Sequence, residues 1–411
     1  MTKRILIIED TPTIARVQKH IAEKIGYQAD IAGSLAAAKH LITSHTYFCA
    51  VVDFILPDAP KGEAVGCTVN ADIATIVMTG SIDEQTRSAV EKHAIVDYIT
   101  KENKQAFHYL EKQLYRLSRN EHVDILVVED TLSTRQHICH LLSRHKYQIK
   151  QAKGGSEALQ ILAAHPEISV IITDHEMPNM RGDELCIEIR RLYNNDEKAI
   201  IGISGSNSLH ISTRFLKSGA NDFLRKPFNS EEFYCRLSQN VDMLEHIKTI
   251  RLQANSDYLT KLPNRRHFFE QADKQLKKYH AADTSVSLAM IDIDHFKAIN
   301  DNYGHDAGDD VLISLSACFS DYFTDTLIAR LGGEEFVVFF ADTPPTKAKQ
   351  QLEMFRLHIA KQSPELTKYA IPFTLSIGYQ HGPIYDIDTL IHQADVKLYQ
   401  AKQAGRNRVI D

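Results

Sequence analysis

A segment near the start of the chain recurs 120 residues later, because the stretch 5–11, ILIIEDT, returns at 125–131 as ILVVEDT. A repeat of this length exceeds the units of solenoid proteins and has the size of a whole domain. The 411-residue chain is therefore predicted to begin with two copies of one domain, 1–120 and 121–245.

Each copy alternates short apolar runs with amphipathic stretches. This alternation is typical of a parallel sheet that is covered by helices on both faces. We therefore predict two doubly wound α/β domains of the flavodoxin-like type. The strand-like runs are 5–8, 50–52 and 73–78 in the first copy, and 125–128, 170–172 and 199–203 in the second.

Acidic side chains follow these runs directly in both copies. The carboxyl ends of parallel strands lie at one edge of such a sheet, so these side chains should converge. Carboxylates in one pocket repel one another unless a cation binds, and Mg²⁺ prefers hard oxygen ligands. The predicted metal sites are Glu9, Asp10 and Asp53 in the first copy, and Glu129, Asp130 and Asp174 in the second.

A hydroxyl, an aromatic ring and a lysine complete the pattern. The lysine follows the aromatic residue by three positions, and its ammonium group is suited to pair with the oxygens of an added phosphoryl group. The hydroxyl can take another of those oxygens. These positions are Thr79, Tyr98 and Lys101 in the first copy, and Ser204, Phe223 and Lys226 in the second.

Both copies resemble the receiver domains of bacterial response regulators. The resemblance implies that Asp53 and Asp174 accept phosphate from a sensor histidine kinase or a phosphotransfer protein, with Mg²⁺ bound by the neighbouring acids. It also implies that the hydroxyl and aromatic positions act as switch residues. A lone Asp after an apolar run usually caps a helix or forms a turn. Five matched positions that occur twice in order favour the phosphoacceptor interpretation.

The two copies differ after the phosphoacceptor. Asp53 and Thr79 are 26 residues apart (79 − 53), whereas Asp174 and Ser204 are 30 apart (204 − 174), so the first copy lacks about one helical turn. Its third helix is therefore predicted to be short or distorted. The second copy retains the family segment MPNMRG at 177–182 and a proline after its lysine, which the first copy lacks. We nevertheless predict that both aspartates can be phosphorylated.

A single helix is predicted over 230–255, because apolar residues recur there in steps of three and four. Its first half can pack on the second domain, and the linker 246–256 would continue as a stiff connector. The apolar positions are Phe233, Leu237, Val241, Leu244, Ile247 and Ile250.

The remaining segment, 257–411, contains a different set of motifs. These are IDIDHFKAIND at 291–301, GHDAGD at 304–309 and RLGGEEF at 330–336. The Gly-Gly pair predicts a hairpin between strand-like runs 326–331 and 336–340. If Asp292 ends a neighbouring strand, its carboxylate meets Glu334 and Glu335 across the sheet.

This segment closely resembles the GGDEF family of diguanylate cyclases, with Glu334 in place of the Asp of the family name. The resemblance implies a palm-like nucleotidyl cyclase domain that condenses two GTP molecules to cyclic di-GMP and two pyrophosphates in a homodimer. Asp292, the carbonyl of Ile293 and Glu334 would bind Mg²⁺ or Mn²⁺, and Glu335 would assist the metal or the attacking hydroxyl.

The resemblance also implies the residues that bind GTP. Backbone amides at 295–297 would bind phosphates, and the carboxylate and amide of Asp309 and Asn300 would select guanine, whose N1 and N2 are donors. Basic side chains near the C-terminus would hold the terminal phosphates. The full predicted set is His295, Phe296, Lys297, Asn300, His305, Asp309, Arg330, Lys402 and Arg406.

Many family members carry an Arg-x-x-Asp product-inhibition site before the Gly-Gly hairpin. The aligned positions here are Phe323 and Thr326, so we predict that no high-affinity inhibitory site of this kind exists.

Composition limits the alternatives. Hydrophobic residues at 43% and charged residues at 24% indicate a soluble globular protein, and the net charge of −6 disfavours nucleic-acid binding. The six cysteines are scattered without a C-x-x-C pair, and no apolar run is long enough for a signal peptide or membrane span. We therefore expect a cytoplasmic protein with no membrane insertion and no nucleic-acid partner.

Two readings of the function remain. The first is a diguanylate cyclase of a two-component system that is regulated by phosphorylation. The second is a catalytically weak GTP-binding module that signals by protein contact. A phosphodiesterase, a polymerase relative and a DNA-binding regulator are disfavoured, since the chain has neither a further catalytic domain nor a basic helix-turn-helix.

Overall fold

The computed structural model describes residues 3–80, 93–101, 104–205, 209–281, 286–324, 326–341, 343–382 and 386–411. The chain divides into two compact units, Met1–His246 and Ile247–Asp411. No helix within the described ranges is long and apolar enough to cross a membrane.

The first unit begins with a parallel sheet in the order β2-β1-β3-β4-β5, which is the order of a doubly wound fold. The predicted strands are present with shifts of one residue. The elements are β1 Arg4–Ile8, α1 Pro12–Lys24, β2 Gln28–Ala32, α2 Leu35–Ser44, β3 Cys49–Asp53, α3 Glu63–Asn70, β4 Ala74–Thr79, β5 Asp97–Thr100 and α4 Lys104–Asn120.

The second sheet of this unit repeats the topology, in the order β10-β9-β8-β6-β7, and its strands are also parallel. The prediction of two doubly wound domains is therefore confirmed. The elements are β6 Asp124–Val128, α5 Leu132–Arg144, β7 Gln148–Ala152, α6 Gly155–Ala164, β8 Val170–Asp174, α7 Gly182–Leu192, β9 Ala199–Ser204, α8 Leu209–Lys217, β10 Asp222–Arg225 and α9 Ser230–Asn255.

Apolar residues on both faces of each sheet explain why the strands read as continuous apolar runs. In β1, Ile5 and Ile7 belong to one core cluster, and Leu6 and Ile8 belong to the cluster on the opposite face. Successive side chains of a strand point to opposite faces, so a sheet covered by helices on both sides buries every residue of its central strands.

The helix after the strand that ends at Asp53 or Asp174 differs between the domains as predicted. Helix α3 has 8 residues, whereas its counterpart α7 has 11. The difference is about one turn of helix.

Helix α9 covers the range predicted from its periodicity, Ser230–Asn255. Phe233, Leu237, Val241 and Leu244 are buried in the core of the second domain. Ile250, in the second half, is 62% exposed. The first half of the helix is thus a core element, as expected.

The second unit contains a mixed sheet in the order β12-β13-β11-β14-β15. Strand β11 lies at its centre and pairs antiparallel with β13 and β14, and only β14 and β15 are parallel. The elements are α10 Arg265–Ala281, β11 Val286–Ile293, α11 Phe296–Tyr303, α12 His305–Tyr322, β12 Leu327–Gly332, β13 Glu335–Phe340, α13 Pro345–Leu366, β14 Leu375–Gly382, α14 Ile387–Gln403 and β15 Val409–Ile410.

Candidate functional sites

The predicted pocket of the first domain lies at the carboxyl ends of β1 and β3. These neighbouring strands are parallel and in register, so the residues that follow them meet at one edge. One oxygen from each of Glu9, Asp10 and Asp53 lies within 4.8 Å of the others. Lys101 Nζ lies 2.6 Å from both Glu9 Oε2 and Asp53 Oδ2. The structure thus brings together the three acids and the lysine.

The second domain forms the same lysine bridge, because Lys226 Nζ lies 2.6 Å from both Glu129 Oε2 and Asp174 Oδ1. Burial raises the pKa of Glu129 against the lowering effect of Lys226. Burial alone would lower the pKa of Lys226, but its hydrogen bonds to the two carboxylates outweigh burial and raise it. Asp130 is exposed, and among the described residues of this domain no three acids converge as closely as in the first.

The predicted switch residues occupy equivalent places in the two domains. Thr79 and Ser204 end β4 and β9 and are buried. Their carbonyls accept the backbone N–H of Lys101 and of Lys226, each at 2.8 Å. This backbone bond fixes each lysine beside its hydroxyl.

The aromatic residues at the predicted switch positions each pack against a hydrophobic cluster of their own domain. Tyr98 lies on β5 and Phe223 on β10, and both rings are partly buried. The Phe223 ring centroid lies 5.6 Å from that of Phe215 on α8.

The sequence interpretation missed a residue next to Asp174, the second predicted phosphoacceptor. His175 is buried, and its Nε2 lies 3.5 Å from Asp183 Oδ1. Asp183 in turn forms an ion pair with Arg214 of α8. The sequence signal was a histidine directly after Asp174, and it does not identify partners 8 and 39 positions later (183 − 175, 214 − 175).

In the second unit, Asp292 on β11 pairs with Glu335 on β13 in antiparallel register. The hairpin between β12 and β13 turns at Gly332 and Gly333, whose φ angles are 153° and 53°. Such angles favour glycine, so the Gly-Gly pair permits the tight turn that brings Glu334 and Glu335 to Asp292. Glu334 and Glu335 both lie near enough to raise the pKa of Asp292, although the three acids do not reach the 4.8 Å spacing of Glu9, Asp10 and Asp53 in the described part of the chain.

Asp292 is 4% exposed, and burial raises its pKa to about 6. Lys402 Nζ, 2.7 Å from Asp292 Oδ2, lowers this pKa, whereas Glu334 and Glu335 raise it. Lys402 on α14, which was predicted to bind GTP, therefore lies next to Asp292.

The turn after β11 carries the predicted phosphate-binding amides. His295 has a φ of 59°, and α11 begins at Phe296. The Oδ1 atom of Asn300 lies so close to Gly308 that a Cβ there would approach it to 2.0 Å. Because α11 and α12 pack this tightly, Asn300 lies beside the helix turn that carries Asp309.

Other predicted GTP contacts have different surroundings. Arg330 donates to Asp257 Oδ1 at 2.8 Å and to the carbonyl of Gly333 at 2.9 Å, so its guanidinium ties the hairpin to the start of the domain. His305 is exposed at the first residue of α12, and Lys297 is exposed on α11. Arg406 lies in the loop after α14. Their contacts with GTP stay predictions.

Asp294 was not among the predicted site residues, although it lies between Ile293 and His295. It is buried and accepts hydrogen bonds from Thr374 and Ser376, both at 2.6 Å. The second Asp of the IDID motif was the signal available in the sequence. The same pattern is also typical of a strand whose alternate residues face solvent, so it did not predict that Asp294 is buried.

Phe323, at the expected product-inhibition position, is 3% exposed and packs among aromatic rings. Its ring centroid lies 5.1 Å from Phe355 and 5.9 Å from Phe340. Thr326 Oγ1 donates to the Phe323 carbonyl at 2.9 Å. These positions therefore offer core packing in place of an Arg and an Asp.

Two pockets in which acidic residues meet a lysine, together with an acidic hairpin, are typical of a signalling protein of the two-component type. Comparison with protein families agrees with this class. The model of the response regulator receiver domain matches 5–109 and 125–238, and that of the diguanylate cyclase GGDEF domain matches 254–408.

Two named proteins are similar to parts of this chain. The chain is 29% identical over 300 residues to the response regulator PleD of Caulobacter vibrioides, which covers 70% of this chain and 65% of PleD. It is 38% identical over 172 residues to the diguanylate cyclase DgcM of Escherichia coli, covering 41% of this chain and 40% of DgcM. The chain thus spans less than two thirds of the length of these relatives.

A solved structure of a two-component system response regulator/GGDEF domain protein has a TM-score of 0.53 and 36% identity, and covers 59% of this chain and all of that one. The chain therefore belongs to the response regulators that carry receiver domains and a GGDEF domain.

Proposed function

We propose that the protein is a diguanylate cyclase whose activity is controlled by phosphorylation of its receiver domains. The observation that carries the proposal is the antiparallel pairing of Asp292 with Glu335, with Glu334 in the turn beside them. This arrangement gathers acidic oxygens at the end of a buried strand. Burial raises the pKa of Asp292, so a bound cation would stabilise its charged form.

The donor set fits a divalent metal. Asp292, the carbonyl of Ile293 and Glu334 offer hard oxygens, and Lys402 already lies as a cation at Asp292. When bound, Mg²⁺ or Mn²⁺ would neutralise phosphate charge and make a ribose hydroxyl more acidic.

The protein's own residues would orient GTP and move its proton. Amides at 295–297 would bind phosphate oxygens, as amides at the start of a helix can. Asn300 and Asp309 would accept hydrogens from guanine N1 and N2. Lys402 would shift from Asp292 to the phosphates, and Arg406 would hold the terminal ones.

In the reaction, the 3′-oxygen of one GTP forms a bond to the α-phosphorus of the other, and the bond to pyrophosphate breaks. Glu335, which is exposed on β13, would receive the hydroxyl proton. The reciprocal attack closes the ring and releases a second pyrophosphate. Since each domain holds one GTP, a homodimer is required.

Phosphorylation of a receiver would favour the productive dimer. Each acceptor aspartate is bridged to a lysine whose backbone is bonded to the switch residue, Thr79 or Ser204. A phosphoryl group on the aspartate adds charge for the lysine and hydroxyl to bind, and would thereby rearrange the neighbouring strand. The phosphate would come from a sensor histidine kinase or a phosphotransfer protein.

The deciding experiment measures products of GTP and Mg²⁺ by chromatography, with and without a small phosphodonor. We expect cyclic di-GMP, formed faster with the phosphodonor, and a loss of about 10²-fold or more in Glu335→Gln. The matched control is Glu365→Gln, since Glu365 lies on α13 outside the predicted site. If the wild type binds GTP but forms no product under any condition, the protein is a GTP-binding module that acts by contact.

A further inference from the structure

The loop after α14 has a backbone that needs support. Gly405, Arg406 and Asn407 have φ angles of 107°, 62° and 45°. A left-handed backbone is unfavourable for a residue that has a side chain, because its Cβ approaches the following carbonyl oxygen. Contacts must therefore hold Arg406 and Asn407 in place. This matters because Arg406 is a predicted phosphate ligand, and Lys402 precedes it by one turn.

The first of these contacts comes from Asp294. Its Oδ2 accepts the backbone N–H of Asn407 at 3.0 Å and the hydroxyl of Thr374 at 2.6 Å, and its Oδ1 accepts the hydroxyl of Ser376 at 2.6 Å. All three donors are neutral. Asp294 is 4% exposed, so its carboxylate is held in one orientation by hydrogen bonds that water does not replace.

The second contact comes from the opposite side. Arg356 of α13 is buried, and its Nη1 donates to the Asn407 carbonyl at 3.0 Å and to Asn407 Oδ1 at 2.6 Å. Glu353 accepts from Arg356 Nε at 2.9 Å and orients the guanidinium. Asn407 is therefore held at its N–H by Asp294 and at its carbonyl and side chain by Arg356.

We propose that Asp294 and Asn407 are positioning residues for the GTP triphosphate. Asp294 directly precedes His295, the first predicted phosphate-binding amide, and Asn407 directly follows Arg406. The hydrogen bond between them ties the two phosphate-binding segments together before GTP arrives. Binding then does not have to order the loop, and the saved free energy appears as affinity. This inference rests on the proposed function.

The main test compares two changes at one position in the full-length protein. Asp294→Ala leaves three donors without an acceptor, and we expect a GTP KM about tenfold higher with kcat changed by less than about threefold. Asp294→Asn can accept from Asn407 and Thr374 through its oxygen and donate to Ser376 through its amine. It should keep the KM within about threefold of wild type.

The second test does not depend on the buried carboxylate. Asn407→Ala removes the side-chain bond to Arg356 and places alanine at a positive φ, whereas Asn407→Gly relieves the backbone cost. We expect a KM about fivefold higher for alanine and a smaller rise for glycine. Binding of the α,β-methylene analogue of GTP with Mg²⁺, measured by calorimetry, should follow the same order.

The control is Asp386→Ala at the start of α14, where Asp386 accepts the N–H of Thr389 at 2.8 Å. It should lower the urea concentration at the midpoint of unfolding without changing the KM, because it removes the cap of α14. The proposal is wrong if Asp294→Ala and Asn407→Ala, like this control, lose stability but bind the analogue with wild-type affinity. If the wild type itself binds no analogue, the proposed function fails as well.

Discussion

Each of the two receiver domains has its own pocket of acids and a lysine, and the two pockets are alike. The helix beside the pocket differs in length. Helix α3 of the first has 8 residues, and α7 of the second has 11. Yet in both domains the lysine Nζ lies 2.6 Å from two carboxylates. The loss of a helical turn has therefore left the geometry of the lysine bridge unchanged.

The pocket survives because strand register builds it. Ile5 pairs with Cys49 in the first sheet, and Ile125 pairs with Val170 in the second, so the ends of the two central strands are aligned in the same way. Backbone hydrogen bonds fix this register. The helices only cover the faces of the sheet, and one of them can shorten without moving the strand ends.

The residue that follows Asp53 or Asp174 differs between the two domains. In the first domain Phe54 packs against Gly62, which has a φ of 81° at the start of α3. In the second domain His175 lies near Asp183, which is paired with Arg214. A ring packed on a glycine in one domain thus corresponds, in the other, to a histidine near an ion-paired aspartate.

The largest expected effect concerns phosphorylation itself. Treatment with a small phosphodonor and Mg²⁺ should add two phosphates to the wild type, one to Asp53→Asn, one to Asp174→Asn and none to the double variant. Intact-mass spectrometry measures this directly. A wild type that takes only one phosphate, or an Asp53→Asn protein that takes two, would contradict the equivalence of the pockets.

A large difference in stability is expected between equivalent glycine substitutions. A Cβ at Gly182 would lie 2.1 Å from the carbonyl oxygen of Asp174, whereas one at Gly62 would meet the Phe54 ring at 2.4 Å. The Phe54 ring can move but the Asp174 backbone cannot, although the φ of 81° at Gly62 adds a backbone cost of about 1–2 kcal/mol. Gly182→Ala should cost about 3 kcal/mol or more, and Gly62→Ala about 1–3 kcal/mol.

Urea unfolding of the full-length protein measures both, with hydrogen exchange to locate the affected domain. The matched controls are Gly33→Ala and Gly154→Ala, because a Cβ at either position meets nothing within 4 Å. If Gly62→Ala and Gly182→Ala lowered the free energy of unfolding equally, the starts of α3 and α7 would be packed equally tightly.

A moderate effect is expected on the magnesium requirement. The acids of the first domain lie within 4.8 Å of one another, and the described acids of the second domain do not reach this spacing. Closer oxygens favour Mg²⁺, so phosphorylation of Asp53 in Asp174→Asn should need about threefold less Mg²⁺ than that of Asp174 in Asp53→Asn. If Asp174 needed less Mg²⁺ than Asp53, the distance between the acid oxygens without metal would not determine the affinity for Mg²⁺. Chelation of the metal should stop the phosphorylation of both aspartates.

The smallest effect is a pH dependence in the second domain. Because burial raises the pKa of Glu129 above its ordinary value, Glu129 contributes stability below pH 4.5 that is lost as the pH rises through its folded-state pKa. The stability of the wild type relative to Glu129→Gln should therefore fall as the pH rises from 4.5. Urea unfolding of both proteins at a series of pH values above 4.5 measures this. If the stability of the wild type relative to Glu129→Gln rose with pH, the pKa of Glu129 would be lowered by folding and not raised.

Most of the fold and much of the arrangement of the acidic residues could be predicted from the amino-acid sequence. Apolar runs predicted the strands, and the Gly-Gly pair predicted the hairpin that pairs Asp292 with Glu335. The 26-residue spacing between Asp53 and Thr79 (79 − 53) predicted the short α3. These features depend on periodicity and chain length, which are local properties of the sequence.

Other contacts came only from the tertiary structure. Arg330 pairs with Asp257, Asp294 with Asn407, and Asp183 with Arg214. Asp294 and Asn407 are 113 residues apart, and neither residue type nor spacing identifies one as the partner of the other.

The sequence by itself determined which residues end the strands and therefore which acids can share an edge of a sheet. The tertiary structure decided which buried polar groups satisfy one another, as with Asp294 and the backbone of Asn407. The physical reason is that strand pairing follows from a repeating pattern along the chain. A side-chain hydrogen bond, by contrast, requires two particular atoms to approach within about 3 Å after all the elements have packed.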